Sequence, residues 1–508
     1  MARNPPHPHP SEFRRLLASN EVPTASEKRT PRAPPVLDSE DYRAHMAPLT
    51  IQMDNQPSLL HEITEQRQGV DDASRGMNTA LVPVRRLPAE VLGEIFLWTL
   101  KSCYPRSRTG TRAPWYLGQV CRSWRNIALC LPHLWSKIRI DEHNSESVQG
   151  RREIEEQLAR SATTPLSVFI MWPSHTPEKL AESAQLVELV VAHCERWRHL
   201  AIEAMANIGE LLPVLAPAKG HLPQLEKLRF QLYWDAPYQS DMFMDAPKLF
   251  YVKIAQQRLD CFPVPWNQIR RASIASDLCM PDPLPLTWAS GLATLILYID
   301  IQQNEIQTAG LGLATLPRLR HFGGTVQGLA CFVVPALQTL RLRLASNWEL
   351  DIVRDFLARS QCPLRALDIR LTKNKDPTEA LDMATLADIL RCVPSLELLI
   401  LTPFLGRGPK DKHEPDSDDP IFPMETLFSV MRLNKSTDDV LPNLSTFVFG
   451  IPYNPSETDL VSEMVRSRAS TQMYLPKAWK SRLEGRCGDN VQWIDIDPEM
   501  FLHCERLE

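Results

Sequence analysis

Apolar and polar residues alternate differently in successive stretches of this 508-residue chain. Residues 1–57 show no sustained apolar period and are rich in proline and polar residues, so they cannot bury enough surface to offset ordering entropy and are expected to be a disordered tail. Across 58–84 the pattern turns helical: Ile63, Val70, Met77 and Val84 recur every seven residues. A second seam fails, because Arg67 and Ser74 interrupt Leu60 and Leu81. Gly69 and Gly76 weaken it further, each by about 1 kcal/mol relative to alanine. The expectation is a short helix packing on the next segment, not a coiled coil.

Residues 85–140 read as two helices and a loop. The first opens at Leu87-Pro88-Ala89-Glu90, where proline fits the first turn and Glu90 faces the positive end of the helix dipole. Val91, Leu92, Ile95, Phe96 and Trp98 then make it apolar over more than half its circumference, so one face must meet something beyond its own small domain. Lys101 to Pro114 reads as a polar loop. The second helix carries Leu117, Val120, Cys121, Trp124, Ile127, Ala128 and Leu131 as one stripe. Leu131-Pro132 stops it, and His133-Leu134-Trp135 reads as a short turn.

From 141 to 508 a different pattern recurs, L-x-x-L-x-L in β-favouring residue types. It stands at Leu225-x-x-Leu228-x-Phe230, Leu249-x-x-Val252-x-Ile254, Ile269-x-x-Ala272-x-Ile274 and Leu292-x-x-Leu295-x-Leu297. It returns at Leu337-x-x-Leu340-x-Leu342, Leu364-x-x-Leu367-x-Ile369, Leu396-x-x-Leu399-x-Leu401 and Leu444-x-x-Phe447-x-Phe449. Weaker copies stand at Trp197-x-x-Leu200-x-Ile202 and Leu319-x-x-Phe322. Helical stretches at Glu178–Cys194, Leu350–Ser360, Leu381–Cys392 and Pro423–Leu433 separate several copies. Each strand–helix unit is too small to cover its own apolar face, so neighbours must stack. The spacings, 18 to 48 residues, are irregular, and no asparagine follows the strand.

Composition narrows the function. Net charge −5 and pI near 6.3 supply no basic field overall, so nucleic acid is not an expected partner. The eleven cysteines are scattered without a C-x-x-C pair and read as reduced thiols. The amino terminus lacks a signal-peptide core, and no apolar run approaches the roughly 20 residues of a membrane span, so an intracellular protein, cytoplasmic or nuclear, is expected. His7 and His9 in the tail, and the acidic stretch 406–420, which lacks the EF-hand glycine and closing glutamate, name no metal. Phosphate-loop, zinc-protease and nucleophile-elbow motifs are missing, and Gly310-Leu311-Gly312 has Thr315 where a dinucleotide fingerprint needs glycine. Neither an enzyme nor a cofactor is expected.

Leu87-Pro88-x-Glu90-Val91-Leu92-x-x-Ile95-Phe96, then Val120-Cys121-Arg122-x-Trp124-Arg125, then Leu134-Trp135 resembles the F-box, most closely the large F-box families of mushroom-forming fungi. The region after it is similar to an irregular leucine-rich repeat. The fold class implied is mixed α and α/β: a disordered tail, a small three-helix F-box and a leucine-rich-repeat-like solenoid. The resemblance implies docking of a Skp-type adaptor, and through it a cullin, with an unknown target protein held by the repeats in an SCF-type ubiquitin ligase. The adaptor contacts carried over are Leu87, Pro88, Val91, Leu92, Ile95, Phe96, Val120, Cys121, Trp124, Leu134 and Trp135. Leu92, Phe96 and Trp124 could equally serve as the helices' own core, and a non-ligase interaction scaffold stays open. The non-repeat strand positions Arg229, Lys253, Arg341, Arg343 and Arg370 would line the concave face, where charge is ordinary and names no target by itself.

Overall fold

The computed structural model describes residues 84, 87–101, 108–141, 148–172, 177–204, 208–232, 240–255, 263–276, 286, 288–299, 313–344, 346–371, 382–403, 425–433, 439–451, 455–483 and 485–494. The expected tail, nearly all of the helix at 58–84 and the acidic stretch 406–420 lie outside them. The chain divides into two compact units, Met1–Arg139 with Arg151–Ser167, and Ile140–Gly150 with Val168–Glu508.

In the first unit the helices are α1 (Ala89–Lys101), α2 (Arg108–Val120) and α3 (Arg122–Leu129), followed by a 3-10 turn (Pro132–Trp135). Strand β1 (Lys137–Ile140), helix α4 (Val148–Arg160) and strand β2 (Leu166–Trp172) carry the chain across the unit boundaries.

Two expectations are corrected here. Helix α2 begins at Arg108, inside the stretch read as a loop; its first turns are polar and carry no periodic signal. The single stripe from Leu117 to Leu131 is also broken. Cys121 is extended (φ −163°, ψ 171°) and starts a new helix, its Sγ accepting from the Trp124 N–H at 3.4 Å. The Arg125 Nε–H donates to the Gly118 carbonyl at 2.7 Å, bridging the break. A side chain at an N-cap satisfies a donor that a continuous helix would have used internally.

The second unit is mixed α/β around a long parallel sheet. Its strands are β3 (Trp197–Ala204), β4 (Lys227–Leu232), β5 (Tyr251–Ala255), β6 (Arg271–Ser276), β7 (Thr294–Ile299), β8 (Ala314–Thr315) and β9 (His321–Thr325). There follow β10 (Phe332–Val333), β11 (Thr339–Leu344), β12 (Ala366–Leu371), β13 (Leu398–Pro403), β14 (Thr446–Phe449), β15 (Gln472–Pro476) and β16 (Val491–Ile494). Apart from the small β8–β10 pair, β3 to β16 lie side by side in chain order, and the pairs are parallel. Parallel neighbours require crossovers, and helices supply several of them. These are α5 (Pro177–Val191), α6 (Leu211–Leu215), α7 (Asn347–Ser360), α8 (Met383–Arg391), α9 (Glu425–Met431), α10 (Thr458–Ser467) and α11 (Lys480–Leu483). Helices α7 to α10 pack one against the next.

The recurring apolar pattern explains the register. In all eight full copies the three motif residues are buried. The second residues align as Leu200, Leu228, Val252, Ala272, Leu295, Phe322, Leu340, Leu367, Leu399 and Phe447 across successive strands. The third residues form a parallel ladder two positions on, interrupted only by Gly324. Because side chains alternate across a strand, a slip of one residue would turn both ladders to solvent, so burial fixes the pairing.

At the end of α10, Arg468 is buried and donates to three carbonyls, those of Met431 (2.7 Å), Leu441 (3.0 Å) and Val440. Burial pushes its pKa down to about 10, which leaves it charged at neutral pH. Replacing Arg468 by methionine roughly keeps the volume but removes the donor to the Met431 and Val440 carbonyls, while the Leu441 carbonyl still accepts from the Leu444 N–H, and is expected to cost about 3 kcal/mol in chemical denaturation. A loss below about 1 kcal/mol would show that the clamp is dispensable.

Candidate docking surface

The start of α1 is set by the Leu92 N–H donating to the Pro88 carbonyl at 3.0 Å. From there its apolar residues divide by angle around the axis. Leu92, Phe96 and Leu100, four residues apart, are buried with Ala128, Leu134 and Trp135 as the core of the first unit. Phe96 is fully buried, its ring 4.8 Å from that of Trp124. On another side, Pro88, Val91, Ile95 and Trp98 are exposed; Val91 and Ile95 keep 43% of their surface in water and Trp98 62%. Spacings of three and four residues put these four on one stripe.

The carried-over residues therefore separate into three groups. Leu92, Phe96, Leu134 and Trp135 are core; Leu87, Cys121 and Trp124 are half-buried; Pro88, Val91, Ile95 and Val120 are exposed. Trp98, Tyr116 and Leu129 are exposed as well; Trp98 belongs to the apolar excess of the first helix read from the sequence but not to the carried-over contacts, and Tyr116 and Leu129 belong to neither. The spacing from Val91 to Trp98, two helical turns, is the signal that could have added the first of these to the contacts. Six of the nine large hydrophobic residues exposed among the described residues belong to this small unit, which concentrates unsatisfied apolar surface there.

Its frame is rigid where α1 ends. Lys137 donates from Nζ to the Leu100 carbonyl, closing the last turn. Trp135 Nε1–H donates to the Ala128 carbonyl at 2.8 Å, and its ring meets Trp115 edge-on at 5.0 Å. The Arg160 guanidinium lies 4.5 Å from the Trp135 ring centre and 5.0 Å from that of Trp115, a cation–π contact with both. Chemically the exposed stripe can do one thing well, which is to bury itself. Each aliphatic side chain fully covered by a partner contributes roughly 1.5–3 kcal/mol.

Among the described residues, no group of three or more His, Cys, Asp or Glu side chains could hold a metal ion, and no helix is long and apolar enough to cross a membrane. No protein-family model matches the chain, and no curated protein matches it.

Proposed function

We propose that this chain is a target receptor of an SCF-type ubiquitin ligase, docking a Skp-type adaptor through its first unit and a target protein through its second. The carrying observation is the exposed stripe Pro88, Val91, Ile95 and Trp98 on α1, standing on a helix whose other side is a closed core. It supports the reading because the F-box-like anchors fall on that helix, and a partner-free helix with so much exposed apolar surface is unfavourable in water. In this reading the second unit is an irregular leucine-rich-repeat-like solenoid. The chain-order parallel sheet and its two buried ladders support that. The receptor performs no chemistry of its own; it raises the effective concentration of target lysines near the transfer enzyme.

The test is co-expression of the full chain with a Skp-type adaptor, followed by size-exclusion chromatography and addition of a cullin. The wild type is expected to elute as a complex that recruits the cullin. A Leu87→Ala, Pro88→Ala variant is expected to lose at least tenfold in adaptor affinity, about 1.4 kcal/mol. Equal adaptor binding by the two proteins would overturn the assignment.

A further inference from the structure

The turns that enter the strands of the second unit are joined by a backbone row of their own, one rung before each strand. Each rung's N–H donates to the carbonyl of the rung before it at 2.8 to 3.1 Å, from Arg198 at one end to Glu397 at the other. At the ends of this row the charges are matched. Arg198 pairs with Glu226 on the next rung at 2.9 Å, and Arg365 pairs with Glu397 at 3.8 Å. The central rungs are Phe250, Arg270, Ala293, Arg320 and Gln338. None of these is acidic, and Arg270 and Arg320 are exposed without an ion pair or side-chain hydrogen bond among the described residues.

The neighbouring turns do not supply the missing acid. The described residues leading into β6, β7, β9 and β11 (263–270, 286, 288–293, 313–320 and 332–338) include no aspartate or glutamate. Arg318, two residues before Arg320, is exposed as well and adds a third cation. The turn before β5 is balanced: Asp241 is held by Lys219 at 2.7 Å, and Asp245 is offset in net charge by Lys248. Like charges gathered without a counter-charge oppose compaction, and His321 registers the field. Burial first, then the charges of Arg320 and Arg271, hold it below the usual histidine pKa.

Ala293 stands between the two arginines with only a methyl side chain. With rungs roughly 4.8 Å apart, the Arg270 and Arg320 backbones are about 10 Å from each other, so both side chains can reach one group held over Ala293. A planar guanidinium offers parallel N–H donors that match two oxygens of a phosphate. Two guanidinium groups fit a phosphate monoester, with its three free oxygens and nearly two negative charges, better than a singly charged carboxylate. The turn that ends at Ala293 also exposes Trp288, 65% of whose surface is in water, which gives the same turn an apolar surface.

We infer that Arg270 and Arg320 clamp a phosphorylated serine or threonine side chain of an extended peptide over Ala293, with an apolar residue next to the phosphate packing on Trp288. A peptide is favoured over nucleic acid because the whole chain is acidic at −5, and a few cations at one edge do not track a phosphate backbone. If the receptor reading is right the segment belongs to the target, but the clamp needs no adaptor.

Fluorescence anisotropy with the full chain alone tests this, using a fluorescein-labelled peptide of alanine and glycine with one central phosphoserine flanked by leucines. Its unphosphorylated form and a phosphorylated form with glycine flanks are the comparisons. The leucine-flanked phosphopeptide is expected to bind roughly tenfold tighter than the unphosphorylated one and roughly threefold tighter than the glycine-flanked one. Affinity is expected to fall as salt rises. Arg270→Gln with Arg320→Gln is expected to remove the advantage of the phosphate without changing the melting curve, since both side chains are exposed. Arg198→Gln, on the same row but already paired, is expected to keep it within about twofold. If the double variant melts early, Arg320→Gln alone gives the smaller loss in a folded chain. Trp288→Ser is expected to abolish the preference for leucine flanks. Absent binding, equal binding with and without phosphate, or undiminished binding by a folded arginine variant would each overturn the assignment. So would an equal loss from Arg198→Gln, an unchanged leucine preference in Trp288→Ser, or tighter binding of a single-stranded oligonucleotide. Complete displacement of the peptide by an equimolar amount of inorganic phosphate would make free phosphate the ligand and overturn it as well. Adaptor capture is a separate measurement, so a failure here and a failure of the ligase reading are distinguishable.

Discussion

Phe96→Ala is expected to destabilise the first unit by about 3–5 kcal/mol, while Ile95→Glu, one residue earlier, leaves its stability within about 0.5 kcal/mol and abolishes adaptor capture. Phe96 is fully buried against Trp124 in the core, so truncation leaves a cavity among Leu92, Leu100 and Trp135 that the helices cannot close without moving. Ile95 keeps 43% of its surface in water, so glutamate there buries no charge in the free protein. In a complex it would place a carboxylate in an apolar interface, where an unpaired charge is expensive. Guanidinium denaturation reads the first effect and adaptor pull-down the second. If Ile95→Glu keeps the wild-type adaptor affinity, the exposed stripe is not the docking surface. If Phe96→Ala melts like the wild type, the division of α1 into a core side and a partner side is wrong.

Gly324→Ala is expected to be the more damaging of two neighbouring changes on β9, costing more than about 4 kcal/mol, while Gly323→Ala is close to neutral. Gly324 has φ +139°, a region that L residues rarely adopt, and a Cβ there would fall 1.7 Å from the Leu297 carbonyl oxygen of the adjacent strand. Leu297 and Gly324 are register partners, so relieving the overlap means pulling β7 and β9 apart in the middle of the sheet. Gly323 has no such conflict. Thermal unfolding followed by circular dichroism should show a drop of roughly 10 °C for Gly324→Ala and little for its neighbour. Similar melting points for the two variants would show that the backbone at 324 can relax without cost.

Much of the second unit could be read from the sequence. The L-x-x-L-x-L copies mark strands by residue type and spacing alone, and every motif residue of the eight full copies is buried. The helical stretches between Asn347 and Met431 also lie within a few residues of their expected bounds. The candidate site was less legible. The eleven residues that the F-box resemblance named lie in core, half-buried and exposed positions alike. A motif records which residue types recur, and core and contact residues recur together. Cys121 shows a different limit. Its place in an apolar stripe suggested helix interior, but a thiol can accept an N–H and open a new helix, and spacing alone does not register that.

Sequence by itself determined the inward face of each strand and the apolar excess of the first helix, because periodicity of two or about four residues is a property of one element and needs no neighbour to be seen. Which strands stand side by side was decided only by the tertiary structure. Arg229, Lys253, Arg341 and Arg370 span more than a third of the second unit's length in sequence, and register alone brings them onto one face of the sheet. The fold likewise decided which apolar residues of α1 are covered and which stay in water. Burial depends on what packs against a side chain, and that information is spread over distant parts of the chain.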